Sequence, residues 1–213
     1  MQFSFHCACI YIAFAIVSSI TTIVSQIKND ILQLQQGVAF DRDPSAYKQL
    51  YLHFYHTLIP FAASILKSRE AAEEVFSDVM MKVWFMEGDL LKIDNLRVYL
   101  FASVKNASLN YLAKYHKVSV VDIDSVCLDT YHFINIQSSY HEKEVQNQVA
   151  KAIATLPAKC QLVFRLIKEE GFTYKQVADI MEISVNTVEG HMAAALKKMH
   201  HALKDVLSTT EKK

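Results

Sequence analysis

The reading of this chain turns on one stretch: Thr173-Tyr174-Lys175-Gln176-Val177-Ala178-Asp179-Ile180-Met181-Glu182-Ile183-Ser184-Val185-Asn186-Thr187-Val188-Glu189-Gly190-His191-Met192. Thr173 and Gln176 stand at capping-box spacing, so hydroxyl and amide can satisfy each other's exposed backbone donors at the start of a short helix. Val177, Ala178, Ile180 and Met181 give that helix an apolar face. Glu182-Ile183 makes a tight turn, and Ser184 caps a second helix. The second helix is expected to turn Val188, Met192, Ala195, Leu196 and Met199 inward. A small Ala178 permits close crossing, and Ile183 plugs the turn. The pattern is a helix-turn-helix.

Working outward, the low counts are the informative ones. Of 213 residues, Gly accounts for 4 and Pro for 3, and Gly37, Gly88, Gly171 and Gly190 lie far apart. A dinucleotide loop or a Walker loop needs clustered glycines to bring backbone onto phosphate, so neither is present. Scarce Gly and Pro also argue against many short strands joined by tight turns. The expected fold class is all-α, as two small helical domains joined by a linker.

Helical periodicity agrees. Asp43-Pro44 is an Asp cap followed by Pro at the first helical position. Tyr47, Leu50, Phe54, Leu58, Phe61 and Ile65 then recur at helical spacing, with a kink expected at Pro60. Ser68 opens a second helix with Phe76, Val79, Met80, Val83 and Trp84 on one stripe, followed by a loop around Gly88. Asn95 to His116 reads as a third helix, with Leu96, Tyr99, Leu100, Val104, Leu109 and Leu112 inward. Residues 118–139 lose the period and read as a linker. Helix resumes near Tyr140 and restarts at Pro157, where Cys160, Val163, Phe164 and Ile167 are apolar, and Gly171 ends it.

Net charge is +0, yet it is unevenly spread: residues 116–150 carry −3 and residues 151–213 carry +3. A mildly basic C-terminal third permits contact with nucleic acid. At the start of the second helix, Asn186, Thr187, Glu189, Gly190 and His191 would reach base edges in a major groove, with Lys197 and Lys198 near phosphates. Cys7, Cys9, Cys127 and Cys160 form no C-x-x-C pair, and His53 and His56 have no third ligand in view. Reduced thiols are expected, with no metal and no cofactor. There is no paired-carboxylate or nucleophile set either, so no enzymatic activity is expected.

Residues 1–26 form an apolar N-terminal segment, with an unbroken run from Cys7 to Val17. Three readings compete for it: a membrane anchor, a degenerate signal sequence, or upstream sequence from a start codon chosen too early, the last being preferred.

Two blocks carry a family resemblance. Leu156 to Phe164, Glu170 to Ala178, Ile183 to Glu189 and Ala195 to Lys198 resemble region 4 of sigma-70 factors. Ala71 to Val79, Lys82-Val83-Trp84, Asn95 to Leu100 and Asn106 to Leu112 resemble region 2. Both are similar to the extracytoplasmic-function group, which includes the iron-citrate-type regulators. The resemblance implies region 2 over 38–117, the linker over 118–139 and region 4 over 140–205. It also implies a cytoplasmic protein that directs transcription initiation.

By that resemblance, Glu74, Ser77, Asp78, Met81 and Lys82 face core RNA polymerase, whose β′ and β subunits are the expected partners. Lys92, Asn95, Arg97, Lys105, Asn106, Asn110, Tyr111 and Lys114 would hold the −10 promoter element as single strand. Ser184, Asn186, Thr187, Glu189, Gly190, His191, Lys197 and Lys198 would contact the −35 element. Promoter DNA and a membrane-associated anti-sigma factor complete the expected partners. Tyr115-His116-Lys117 is less basic than the same place in many members, and the apolar N-terminal segment lies outside the family pattern. The rival reading is a helix-turn-helix activator of the quorum-sensing-regulator type. A membrane-anchored helical interaction protein is a second rival.

Overall fold

A computed structural model describes residues 29–116, 123 and 151–210. The N-terminal segment at 1–26, the linker at 118–139 apart from Ile123, and residues 140–150 of the expected helix lie outside the described residues. The described residues are helical: α1 (29–41), α2 (Pro44–Leu66), α3 (Arg69–Phe85), a short 3-10 helix (Glu87–Lys92), α4 (Leu96–His116), the end of α5 (151–154), α6 (Ala158–Lys168), α7 (Tyr174–Met181) and α8 (Val185–Thr210).

Two helix starts follow caps read from the sequence, at Asp43 and Ser68, and Asn95 caps a third. Asp43 Oδ1 accepts from the Ser45 amide at 2.8 Å, Ser68 Oγ from the Ala71 amide at 3.1 Å, and Asn95 Oδ1 from the Val98 amide at 3.2 Å. α2 continues through Pro60 without a break. The Gly88 segment is a 3-10 helix rather than a loop, with Leu90 fully buried at its centre.

Helix ends are less conventional. Gly171, at φ +69°, follows α6, and the Phe172 amide donates back to the Leu166 carbonyl at 2.9 Å. Arg42, Lys67, Glu87 and Glu182 take the same left-handed conformation at other helix ends, with φ between 47° and 58°. A side chain there costs about 1 kcal/mol or more, because Cβ crowds the backbone. So glycine poverty does not mean that left-handed turns are missing. It means that most of them are made by other residues.

The chain packs as two compact units. The first comprises the described residues through His53 together with Val83–Asp94. α1 is part of it, and periodicity alone misses this helix because Gln35 and Gly37 stand where apolar residues would be looked for. Gln35 is 3% exposed, and its Nε2 donates to the carbonyls of Leu90 at 2.7 Å and Ile93 at 3.1 Å, closing the end of the 3-10 helix. Gly37 lets α1 approach α2: a Cβ there would lie 3.1 Å from the Ala46 Cβ. Trp84 takes the Tyr47 ring edge-on at 5.0 Å and the Arg42 guanidinium at 5.4 Å.

The second unit comprises Phe54–Lys82 with the described residues from Asn95 onward. Phe54, Leu58, Phe61, Ile65, Phe76, Leu100 and Phe101 are each buried to within a few per cent. α4 buries a second stripe, Phe101, Lys105 and Ser108, beyond the one its periodicity announces. Among the helices that follow, Ala152, Ile153, Leu156, Cys160, Ala195 and Met199 form a core with Phe164 packed against it. Gln161 is buried in this region, and its Nε2 donates to the Leu156 carbonyl at 2.8 Å, giving an α5-end carbonyl the partner that helix termini otherwise lack.

The expected inward face of α8 needs one correction. Val188, Met192, Ala195 and Met199 are buried, but Leu196 is 46% exposed. Leu196 follows directly on Ala195, so the 100° turn per residue carries it off the stripe that Val188, Met192, Ala195 and Met199 define.

The capping box of α7 is complete: Thr173 Oγ1 accepts from the Gln176 amide at 3.3 Å, and Gln176 Oε1 accepts from the Thr173 amide at 2.9 Å. Thr173→Ala removes one half of the box, and the expected loss is about 1 kcal/mol of stability. The urea midpoint, followed by far-UV circular dichroism, checks it. An unchanged midpoint would show that the box is dispensable.

Candidate nucleic-acid and polymerase interfaces

The helix-turn-helix presents its recognition end outward. α7 stops at Glu182, in the left-handed conformation, and Ser184 Oγ then accepts from the Thr187 amide at 3.1 Å to start α8. Ser184 and Thr187 also share a hydroxyl–hydroxyl bond of 2.8 Å, so both hydroxyls serve the cap. Asn186, Glu189 and Gly190 are exposed on the first turns of α8, as are Ser184 and Thr187. His191 is half-buried, with Nδ1 3.3 Å from Cys160 Sγ. Lys197 and Lys198 are exposed further along α8, and Lys198 Nζ donates to the Thr155 carbonyl at 3.1 Å.

On α3, Glu74, Asp78, Met81 and Lys82 are exposed and Ser77 is half-buried. Met81, at 53%, is a large apolar side chain held in water beside charged neighbours. Glu73 lies next to this face and is held by neighbours: Tyr55 Oη donates to its Oε1 at 2.7 Å and Arg69 Nε at 2.9 Å. Those two bonds, the one from Tyr55 foremost, hold its carboxyl below the ordinary range.

The residues expected at the −10 element fall into groups with different surroundings. Lys92 is exposed and paired with Asp89 at 2.7 Å, and Asn95 is the α4 cap already described. Asn110, Tyr111 and Lys114 line an open cleft of about 650 Å³ together with Glu74, Asp78 and Lys82 of α3. Tyr111 and Tyr115 stack there, with centroids 5.9 Å apart and planes 16° from parallel. This surface brings two lysines, two carboxylates, an amide and an aromatic face into one place.

Arg97, Lys105 and Asn106 are occupied from within the chain. Arg97 Nη2 pairs with Glu170 Oε2 at 2.8 Å, and its guanidinium lies 4.2 Å from the Phe172 ring centroid. Lys105 has a side chain only 6% exposed, and its Nζ donates to Glu182 Oε1 at 3.1 Å. Asn106 Nδ2 donates to the same oxygen at 2.7 Å. The bond from Asn106, and then that from Lys105, hold the Glu182 carboxyl below its usual range. Beside these contacts Phe172 meets Phe101 edge-on at 5.0 Å. Sequence reading missed Glu170, Phe172 and Glu182 as partners of α4, since they lie more than seventy residues away in the chain.

Among the described residues no group of His, Cys, Asp or Glu is placed to hold a metal ion, and no helix is long and apolar enough to cross a membrane.

Residues 146–199 match the family described as sigma-70, region 4. No curated protein sequence matches the chain. Among solved structures, CnrH in complex with the cytosolic domain of CnrY is similar, with 19% identity over 83% of this chain and 96% of that one and a TM-score of 0.51. The sigma factor RpoE in complex with the anti-sigma factor NepR, from Bartonella quintana, is similar with 22% identity over 74% of this chain and 96% of that one and a TM-score of 0.53. At these identities the likeness is one of fold. Residues 146–199 are thus similar to region 4 of sigma-70 factors, and the helices of the chain are similar in fold to those of the sigma factor RpoE.

Proposed function

We propose that the chain is a sigma factor of the extracytoplasmic-function group. It binds core RNA polymerase through α3, recognises the −35 element with α8 and holds the −10 element as single strand along α4. The observation that carries this reading is the sigma-70 region 4 match, which falls on a capped helix-turn-helix with Ser184, Asn186, Thr187, Glu189 and Gly190 exposed and His191 half-buried. Region 2 over 38–117, the linker over 118–139 and region 4 over 140–205 are the functional divisions. Chemistry belongs to the polymerase, and the chain contributes binding and positioning alone. Its place of action is the cytoplasm.

The partners follow from the same reading. Polymerase β′ and β subunits and promoter DNA bind the working protein. The two similar structures are complexes, one with an anti-sigma factor, which supports an anti-sigma factor here as well, and a membrane-associated one suits an extracytoplasmic signal. An activator of the quorum-sensing-regulator type is not favoured, because the described residues ahead of the helix-turn-helix are helical and offer no α/β ligand domain. Co-purification with core polymerase, followed by run-off transcription, tests the function directly.

Asp78→Arg puts a cation on the α3 face without touching the buried stripe of Phe76, Val79, Met80 and Val83. Core binding is expected to be lost while helicity and melting temperature stay at wild-type values. Retained affinity in a pull-down with core polymerase would remove this face from the interface.

Glu189 and Lys197 are exposed on α8 and carry opposite charges, so their roles separate. A carboxylate repels phosphate, and its use on DNA is to accept from a cytosine amino group. Glu189→Ala is expected to change the preferred −35 sequence and to cost about 1–3 kcal/mol on the cognate site. Lys197→Ala is expected to weaken all duplexes alike and make the salt dependence shallower. Selection from randomised duplexes is decisive: the same motif from wild type and Glu189→Ala would refute base reading by this residue.

A further inference from the structure

Two kinds of contact hold α8 to the helices that precede the helix-turn-helix. Val188, Met192, Ala195 and Met199 give it a buried apolar stripe. Burial of this kind is non-directional, so it sets closeness rather than angle. The directional contacts are polar and lie at two points. His191 Nδ1 stands 3.3 Å from Cys160 Sγ of α6, and Lys198 Nζ donates to the Thr155 carbonyl, at the end of α5, at 3.1 Å. The spacing from His191 to Lys198 is two helical turns less about 20°, or roughly 10 Å of rise. Both side chains therefore leave α8 on one side, with the buried Ala195 between them.

The anchoring points are suited to that task. Thr155 follows the last turn of α5, where carbonyls lose their intrahelical donors. Gln161 Nε2 donates to the carbonyls of Ala154 at 3.3 Å and Leu156 at 2.8 Å, and Lys198 serves the one between them. A cationic side chain is favourable at such a terminus. Cys160 is 4% exposed and belongs to the core on which α8 packs, so DNA does not reach its thiol.

We propose that His191 and Lys198 are positioning residues of the −35 helix rather than contacts to DNA. They fix the rotation and the axial register of α8 against α5 and α6, and so set the direction in which Asn186, Thr187, Glu189 and Gly190 meet base edges. Base readout needs donor–acceptor distances of about 2.7–3.2 Å, so a small rotation of α8 is felt at its first turn. Lys197, exposed one residue before Lys198, is turned 100° from the Thr155 contact and keeps the phosphate role. This inference rests on the reading of α8 as the −35 helix and divides its residues by role.

The test uses the full chain as wild type, Lys198→Met, Lys198→Arg, Cys160→Ala and Cys160→Ser, with Lys197→Ala as the comparator. Methionine keeps much of the lysine stem without its donor, arginine restores a donor, and serine restores a hydrogen-bonding group beside His191 Nδ1. The probes are the duplex recovered by selection on wild type from a randomised pool and a duplex of random sequence, each titrated across salt concentrations. Lys198→Met and Cys160→Ala are expected to lose roughly tenfold in preference for the selected duplex, the size of one misread base pair, with the salt dependence unchanged. Lys198→Arg and Cys160→Ser are expected to recover most of that preference. Lys197→Ala is expected to weaken both duplexes alike and to make the slope of log affinity against log salt shallower by about 0.9, the value of one phosphate contact. The same loss of slope in Lys198→Met would make Lys198 a phosphate contact and overturn the proposal. Preference kept by both Lys198→Met and Cys160→Ala, even with a lower melting temperature, would reduce the two contacts to fold stability and overturn it equally. A wild type that recovers no motif from the pool and gives no run-off transcription with core polymerase defeats the −35 reading itself, and the positioning role falls with it.

Discussion

Phe101 packs between Phe61 and Phe172, with both ring centroids at 5.0 Å, and the second unit is organised around that aromatic column. It joins α2, α4 and the segment after α6 by burial of large apolar rings, the strongest non-directional force available to a chain of this kind. Arg97 lies over two of the rings and turns its charge outward to Glu170. The polar contacts of Glu182 sit farther along α4 from the same column. Apolar burial brings the elements together, and the carboxylates then set which donors of α4 are covered.

That arrangement divides the surfaces of the protein by availability. The start of α8 and the outer face of α3 are exposed, whereas half of α4 is covered and the other half opens on a cleft with α3.

Glycine poverty shapes the molecule in a less obvious way. With four glycines in 213 residues, left-handed helix ends fall to Arg42, Lys67, Glu87 and Glu182 as well as Gly171. Side chains at such positions can act as well as turn the chain. Arg42 pairs with Glu87 at 2.7 Å, one left-handed residue with another, and Glu182 reaches Lys105 and Asn106. Glycine at these positions would ease the backbone and lose the contacts.

The caps, the helices from Pro44 onward and the helix-turn-helix were legible in the sequence, because each depends on residues within one or two turns of one another. Asp43, Ser68, Thr173 and Ser184 meet backbone donors two or three residues ahead, and local spacing is enough to place them. The exposed start of α8 was legible for the same reason. Helix α1 was not, since its buried Gln35 and its Gly37 make sense only against Leu90, Ile93 and Ala46. Nor were the second buried stripe of α4 and the outward turn of Leu196, which depend on what packs against those helices. The sequence by itself determined that the long segments from Pro44 onward are helices, where most of them begin and which residues stand exposed at the start of α8. Tertiary structure alone decided that Lys105 is buried and that Glu170 and Glu182 cover α4, because a carboxylate more than seventy residues away leaves no local trace of the partner it will meet.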